Sequence, residues 1–146
     1  MLSAILLLAL AADKPAIYGP YFESNKSGLK GEASYLVFTD AKRFGEVLRP
    51  LPPVGKRRTV AVPDAAWKES LALVVIRRGA TPFTYALDSV EEKDGTLVCK
   101  FTSRADGKPG TATFASPFVV AVPKGKAKEV RFVENGKEAE KVEVGE

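Results

Sequence analysis

From residue 35 onward, apolar side chains fall in short runs or alternate with polar ones, and at only one place do they take helical spacing. Tyr35-Leu36-Val37-Phe38 is β-branched and aromatic and predicts a first strand. Thr39 or Asp40 then caps a short helix with Phe44, Val47 and Leu48 on one face, Arg49 at its end and Pro50 blocking continuation. Thr59 to Val62 reads as a brief strand, and Pro63-Asp64 as a turn that presents Trp67. Leu71 to Ile76 is a continuous apolar run of strand length, which predicts a central strand buried on both faces. Thr84 to Glu92 and Thr96 to Ser103 flank Asp94-Gly95 and predict a hairpin. Its register stays open. A two-residue turn pairs Val90 with Cys99, whereas a three-residue turn with a glycine bulge pairs Leu87 with Phe101 and Asp88 with Lys100. Pro117 to Val122 is a strand with proline at its first position. Glu129 to Glu134 and Lys137 to Val144 surround Asn135-Gly136, and their many charges predict an exposed edge guarded against aggregation. About seven short strands and one short α-helix make a mainly β fold, a single small β-sandwich or open barrel spanning residues 35–146.

What precedes this domain has two characters. Residues 13–34 are rich in Gly, Pro, Ser and Lys and predict an irregular N-terminal arm; Asn25-Lys26-Ser27 within it fits a glycosylation acceptor. Residues 1–12 carry no charged side chain, and Leu2 to Ala12 is apolar apart from Ser3. As a helix this stretch reaches roughly 16 Å, about half of the roughly 30 Å hydrocarbon core of a bilayer. It therefore predicts a cleavable signal peptide rather than a span, with Ala9-Leu10-Ala11 as the small-residue pattern before the cut. The mature product is expected to be secreted or periplasmic, with no membrane insertion after signal cleavage.

Composition narrows the chemistry. At 45% apolar and 27% charged the chain has the make-up of a folded domain. Its single cysteine, Cys99, cannot form an internal disulfide and lies in an apolar run, as a small core side chain would. The absence of histidine removes Ser-His-Asp and Cys-His catalysis and the common imidazole metal sites. A net charge of +4 without a dense basic stripe predicts no nucleic-acid partner. Lys56-Arg57-Arg58 closes a Pro-rich loop and is read as solvated, with an anion contact as the sharper reading. Asp88, Glu91, Glu92 and Asp94 alternate along strand faces rather than converging as Ca²⁺ ligands do, so no metal or other cofactor is expected. A pair of carboxylates meeting in a cleft would be needed for acid–base chemistry, and no spacing requires it. The expectation is a non-catalytic protein, with a carboxylate-based enzyme as an alternative.

Four stretches resemble the PrcB C-terminal-like family, a small exported domain named after a subunit of a protease complex. They are Val37 to Phe44; Val62 to Trp67 with Leu73 to Gly79; Leu87 to Leu97; and Ser116 to Lys124. The family's Gly-Gly-Tyr-like loop is replaced here by Gly79-Ala80-Thr81-Pro82-Phe83-Thr84-Tyr85, where the tyrosine corresponds to Tyr85 and the glycine pair is missing. The resemblance implies a module that binds a protein partner, a protease or another envelope protein. The same loop is similar to the Pro-Thr-rich loop of chagasin-type inhibitors, which implies protease inhibition as an alternative. Thr81, Pro82, Phe83, Thr84, Tyr85 and Arg104 are thus the candidate partner-binding residues, with Phe83 and Tyr85 as exposed recognition side chains. They form a contact surface if the 79–85 and 104–116 loops meet at one end of the sandwich.

Overall fold

A computed structural model describes residues 15–56 and 58–145. The signal-peptide reading of residues 1–12 lies outside these, as does Arg57 of the basic triplet. Ten strands are seen among the described residues: β1 Ala16–Tyr18, β2 Tyr21–Glu23, β3 Ala33–Phe38, β4 Leu48–Pro50, β5 Ser70–Gly79, β6 Phe83–Lys93, β7 Thr96–Ala105, β8 Phe114–Pro123, β9 Glu129–Glu134 and β10 Lys137–Glu143. Helix α1 covers Ala41–Val47, and a 3₁₀ turn covers Asp64–Lys68. The fold is mainly β, a small sandwich, as the residue pattern predicts.

Two four-stranded sheets face each other, one in the order β1-β8-β5-β3 and the other β10-β9-β7-β6. Strand β5 is buried from Leu71 to Ile76 because both of its faces are covered. Successive side chains on a strand point to opposite sides. Leu71, Leu73 and Val75 therefore enter the core between the sheets with Leu97, Cys99, Phe101, Phe118, Val120, Val130 and Phe132. Ala72, Val74 and Ile76 enter a second core on the other face, with Tyr21, Phe38, Phe44, Leu48 and Val119. A third layer closes that second core: α1, the 3₁₀ turn and the two-stranded β2–β4 ribbon.

The stretch read as an irregular arm helps to build both layers. β1 pairs with β8 and β2 with β4, joined across a cis Gly19–Pro20 bond. Three-residue strands leave almost no periodic signal, and only the sheets they join make them visible. The helix starts where expected: the Asp40 carboxylate accepts the Arg43 N–H at 2.8 Å. It ends earlier, since Leu48 is already extended and Arg49 lies in β4 rather than in a last helical turn. Pro50 favours an extended residue before it, and pairing with β2 completes the switch. Thr59 to Val62 gives only an isolated bridge, Gly19 to Val60. β8 starts at Phe114, so Pro117 is internal to it. It is tolerated because β1 pairs only with Val119, Val120 and Ala121, leaving that flank of Pro117 without a ladder partner.

In the first hairpin the two-residue turn is the one that forms; of the three-residue reading only the Leu87–Phe101 pair survives, because Lys100 lies opposite Ser89 and not Asp88. Asp94 and Gly95 have φ of 53° and 81°, a two-residue turn that sets Lys93 opposite Thr96 and Val90 opposite Cys99. A bulge between Leu87 and Ser89 then leaves Asp88 unpaired and sets Leu87 opposite Phe101. The physical reason is parity. Leu87 and Val90 are three positions apart and would face opposite ways on a regular strand. The extra residue turns both toward the inter-sheet core.

The last hairpin differs from its sequence reading in one respect. β10 is an exposed edge, but β9 is interior, lying parallel to β7 on its other flank. Its inward positions are Val130, Phe132 and Glu134, all buried. An acid in the third inward position hid the apolar stripe.

Candidate contact surface and its polar lock

The two loops named from the sequence do meet. Gly79 ends β5, and Ala80-Thr81-Pro82 passes directly into β6. The longer loop, residues 106–113, joins β7 to β8 at the same end of the sandwich. The Asp106 N–H donates to the Pro82 carbonyl at 2.8 Å, and the Gly110 N–H to the Ala80 carbonyl at 3.3 Å. The Phe83 N–H donates to Ser116 Oγ at 2.9 Å. Backbone bonds at both ends of the short loop thus clamp the long one to it.

The candidate residues divide sharply. Pro82, Thr84 and Arg104 are exposed, and the last two lie opposite each other on the outer face of the β6–β7 pair. Phe83 is half-buried beneath the Arg77 guanidinium, whose carbon lies 5.8 Å from the ring centre. Thr81 is buried. Tyr85, expected as an exposed recognition side chain, faces the core instead. Its ring stacks on Phe118 at 4.9 Å and 8°. Its hydroxyl donates to the Ser116 carbonyl at 2.5 Å and accepts the Arg77 N–H at 3.2 Å. Desolvation pushes the phenol up to about 12, against the lowering effect of the Arg77 N–H. The β6 alternation explains the placement: Tyr85 shares the inward face with Leu87. Sequence reading also missed Phe114, 40% exposed beside Gly79 at the head of β8.

Beneath the loops lies a buried carboxylate. Glu134 is 5% exposed. It accepts from Arg77 Nε and Nη2 at 2.9 and 2.8 Å, from the Tyr35 hydroxyl at 2.5 Å, and from Ser103 Oγ. Desolvation alone would raise its pKa, but bonds from Arg77, Ser103 and Tyr35 outweigh it and hold the carboxyl below the ordinary range. The next residue extends the network. Asn135, at φ 53°, accepts the Ser103 N–H at 2.9 Å and donates to the Ser103 carbonyl at 3.2 Å. Both Glu134 oxygens are engaged by donors, so this acid is spent on structure rather than open to a substrate.

Arg78 makes the matching lock on the other face of β5. Its Nε and Nη2 donate to the two Glu23 oxygens at 2.9 and 2.7 Å, and Nη1 donates to Ser34 Oγ at 2.9 Å. Ser27 Oγ also donates to Glu23, at 2.7 Å. Arg77 and Arg78 are neighbours on a strand and must diverge, so each closes one core at the loop end. The signal was in the sequence: Arg77 continues the parity of Leu71, Leu73 and Val75, and Arg78 that of Ala72, Val74 and Ile76.

The acidic residues noted in the sequence lie toward the far end of β6. Asp88 is the bulge residue, Asp94 is in the turn, Glu91 is exposed, and Glu92 accepts the Lys126 N–H at 3.3 Å. Among the described residues, no group of three or more acids or cysteines is placed to hold a metal. No helix among them is long and apolar enough to cross a membrane. No protein-family model, curated protein or solved structure matches the chain.

Proposed function

We propose that this chain is an exported, non-catalytic protein-binding module whose partner, a protease or another envelope protein, docks on the clamped loop end. The observation that carries this reading is the clamp itself. Pro82, Phe114 and Arg104 project from a platform fixed by cross-loop backbone bonds and underlain by two buried arginine–carboxylate locks. Binding to such a surface costs little ordering entropy, which is where much of an interface's affinity is otherwise lost. The resemblance to the PrcB C-terminal-like family supports the choice of partner class, and the apolar segment at residues 1–12 supports export.

The test is affinity capture from the periplasm or culture medium with tagged protein. The expected result is a partner lost on Pro82→Asp or Phe114→Asp and retained on Lys100→Glu, a charge reversal at an exposed β7 position away from the loops. Tyr85→Phe should lower stability and leave capture intact, because its hydroxyl serves the core. A partner retained by both loop variants would refute the reading. The paired loops also favour a second reading, a chagasin-type inhibitor. Slowing of a papain-like protease at micromolar concentration, abolished by Pro82→Asp, would favour it, and an inert result across several such proteases would remove it.

A further inference from the structure

Residues 48–63 contain Arg49, Lys56, Arg57 and Arg58 and no acid. The structure gives this basic stretch a shape. The Leu51 N–H donates to the Pro20 carbonyl at 3.0 Å, Thr59 Oγ1 donates to the Leu51 carbonyl at 2.5 Å, and Val60 bridges Gly19. Both stems are therefore pinned beside the β2–β4 ribbon, and Pro52 to Lys56 between them are exposed. Pro52 and Pro53 stiffen this tip, and Gly55 at φ 60° makes the turn. At the crest Val54 is 63% exposed, and Val60 is 57% exposed on the stem. Lys56 and Arg58 are exposed beside them. On the adjoining ribbon the outward Phe22, 40% exposed, lies opposite the exposed Arg49. Arg49, Lys56 and Arg58 have no ion pair among the described residues.

We propose that this tip is a docking site for an anionic lipid surface, with Val54 entering the headgroup region and Arg49, Lys56 and Arg58 facing lipid phosphates. A simple polyanion would be served by the cations alone and gives no reason for an apolar crest held out by prolines. A folded protein partner needs about 800 Å² from each side, whereas the apolar part of the crest is the single exposed Val54. A bilayer accepts an exposed apolar tip ringed by cations, each cation contributing about fivefold in partition.

The test is sedimentation of the intact chain with phosphatidylcholine vesicles, with and without phosphatidylglycerol. Residues 2–12 can add apolar binding to any vesicle, so the readout is the difference between wild type and tip variants on the anionic ones. Lys56→Ala with Arg58→Ala should lower partition roughly 25-fold on anionic vesicles and leave binding to neutral vesicles unchanged. Val54→Trp should give a blue-shifted emission on anionic vesicles and none with heparin. Equal partition of wild type and the double variant would overturn the proposal. A blue shift absent from vesicles, with heparin competing fully, would overturn it in favour of a polyanion contact.

Discussion

Glu134→Gln keeps the shape of the buried side chain and removes its charge, which isolates the electrostatic part of the lock. The Glu134 side chain is 4% exposed and that of Arg77 28%. Removing one partner of a fully buried pair costs about 3–5 kcal/mol. Arg77 can turn partly into water, so the lower figure of about 2–3 kcal/mol is expected for this pair. Glutamine also presents an NH₂ where the carboxylate accepted from Arg77 or Tyr35, which adds an unmet donor rather than a cavity. With a urea slope of about 2 kcal/mol/M, the midpoint should fall by about 1–1.5 M, read by circular dichroism at neutral pH. The pH dependence gives an independent sign. The folded carboxyl is held below its ordinary value of 4.5, so the unfolded chain takes up a proton first as pH falls. The stabilisation is fully present above about 4.5 and is lost as pH drops through the folded pKa. The gap between wild type and Glu134→Gln should therefore close on acidification. A midpoint shift under about 0.3 M, or a gap constant from pH 7 to pH 3, would refute the reasoning.

Arg78→Met should cost about 3–5 kcal/mol, because its side chain and that of Glu23 are 12% and 11% exposed. Combined with Glu134→Gln the two losses should add within about 0.5 kcal/mol, since they lie on opposite faces of β5 with no shared partner; a larger coupling by urea titration would mean that the two cores are not independent. Cys99 is 1% exposed and its thiol is pushed up to about 12 by desolvation. A thiol reagent at pH 8 should accordingly label it only in denaturant, and rapid labelling of the folded protein would contradict its place in the core.

The residue pattern was most legible where one physical constraint acted alone. An unbroken apolar run of strand length, too short for a buried helix and rich in β-branched residues, fits a strand covered on both sides, so Leu71 to Ile76 marked the centre of the fold. Asp94-Gly95 and Asn135-Gly136 marked both hairpins because positive φ at two successive residues selects such pairs. The candidate loops were legible as neighbours, but the side chains they expose were not. Tyr85 and Phe83 are both aromatic, two apart in sequence, and only their depth in the sandwich separates a core pin from a half-exposed ring.

By itself, then, the sequence determined the β character, the central strand, the positions of the two turns and the start of the helix to within a residue, since each follows from a local period or a single backbone preference. The tertiary structure alone decided the rest. β1 and β2 exist because β8 and β4 offer them ladders. β9 lies parallel to β7 because β8 carries the chain through the other sheet before it returns. Arg77 meets Glu134 across 57 positions of sequence, and Arg78 meets Glu23 across 55. A local pattern can say which way a charged side chain points, but only the packing of sheet on sheet supplies the opposite charge that lets it be buried there.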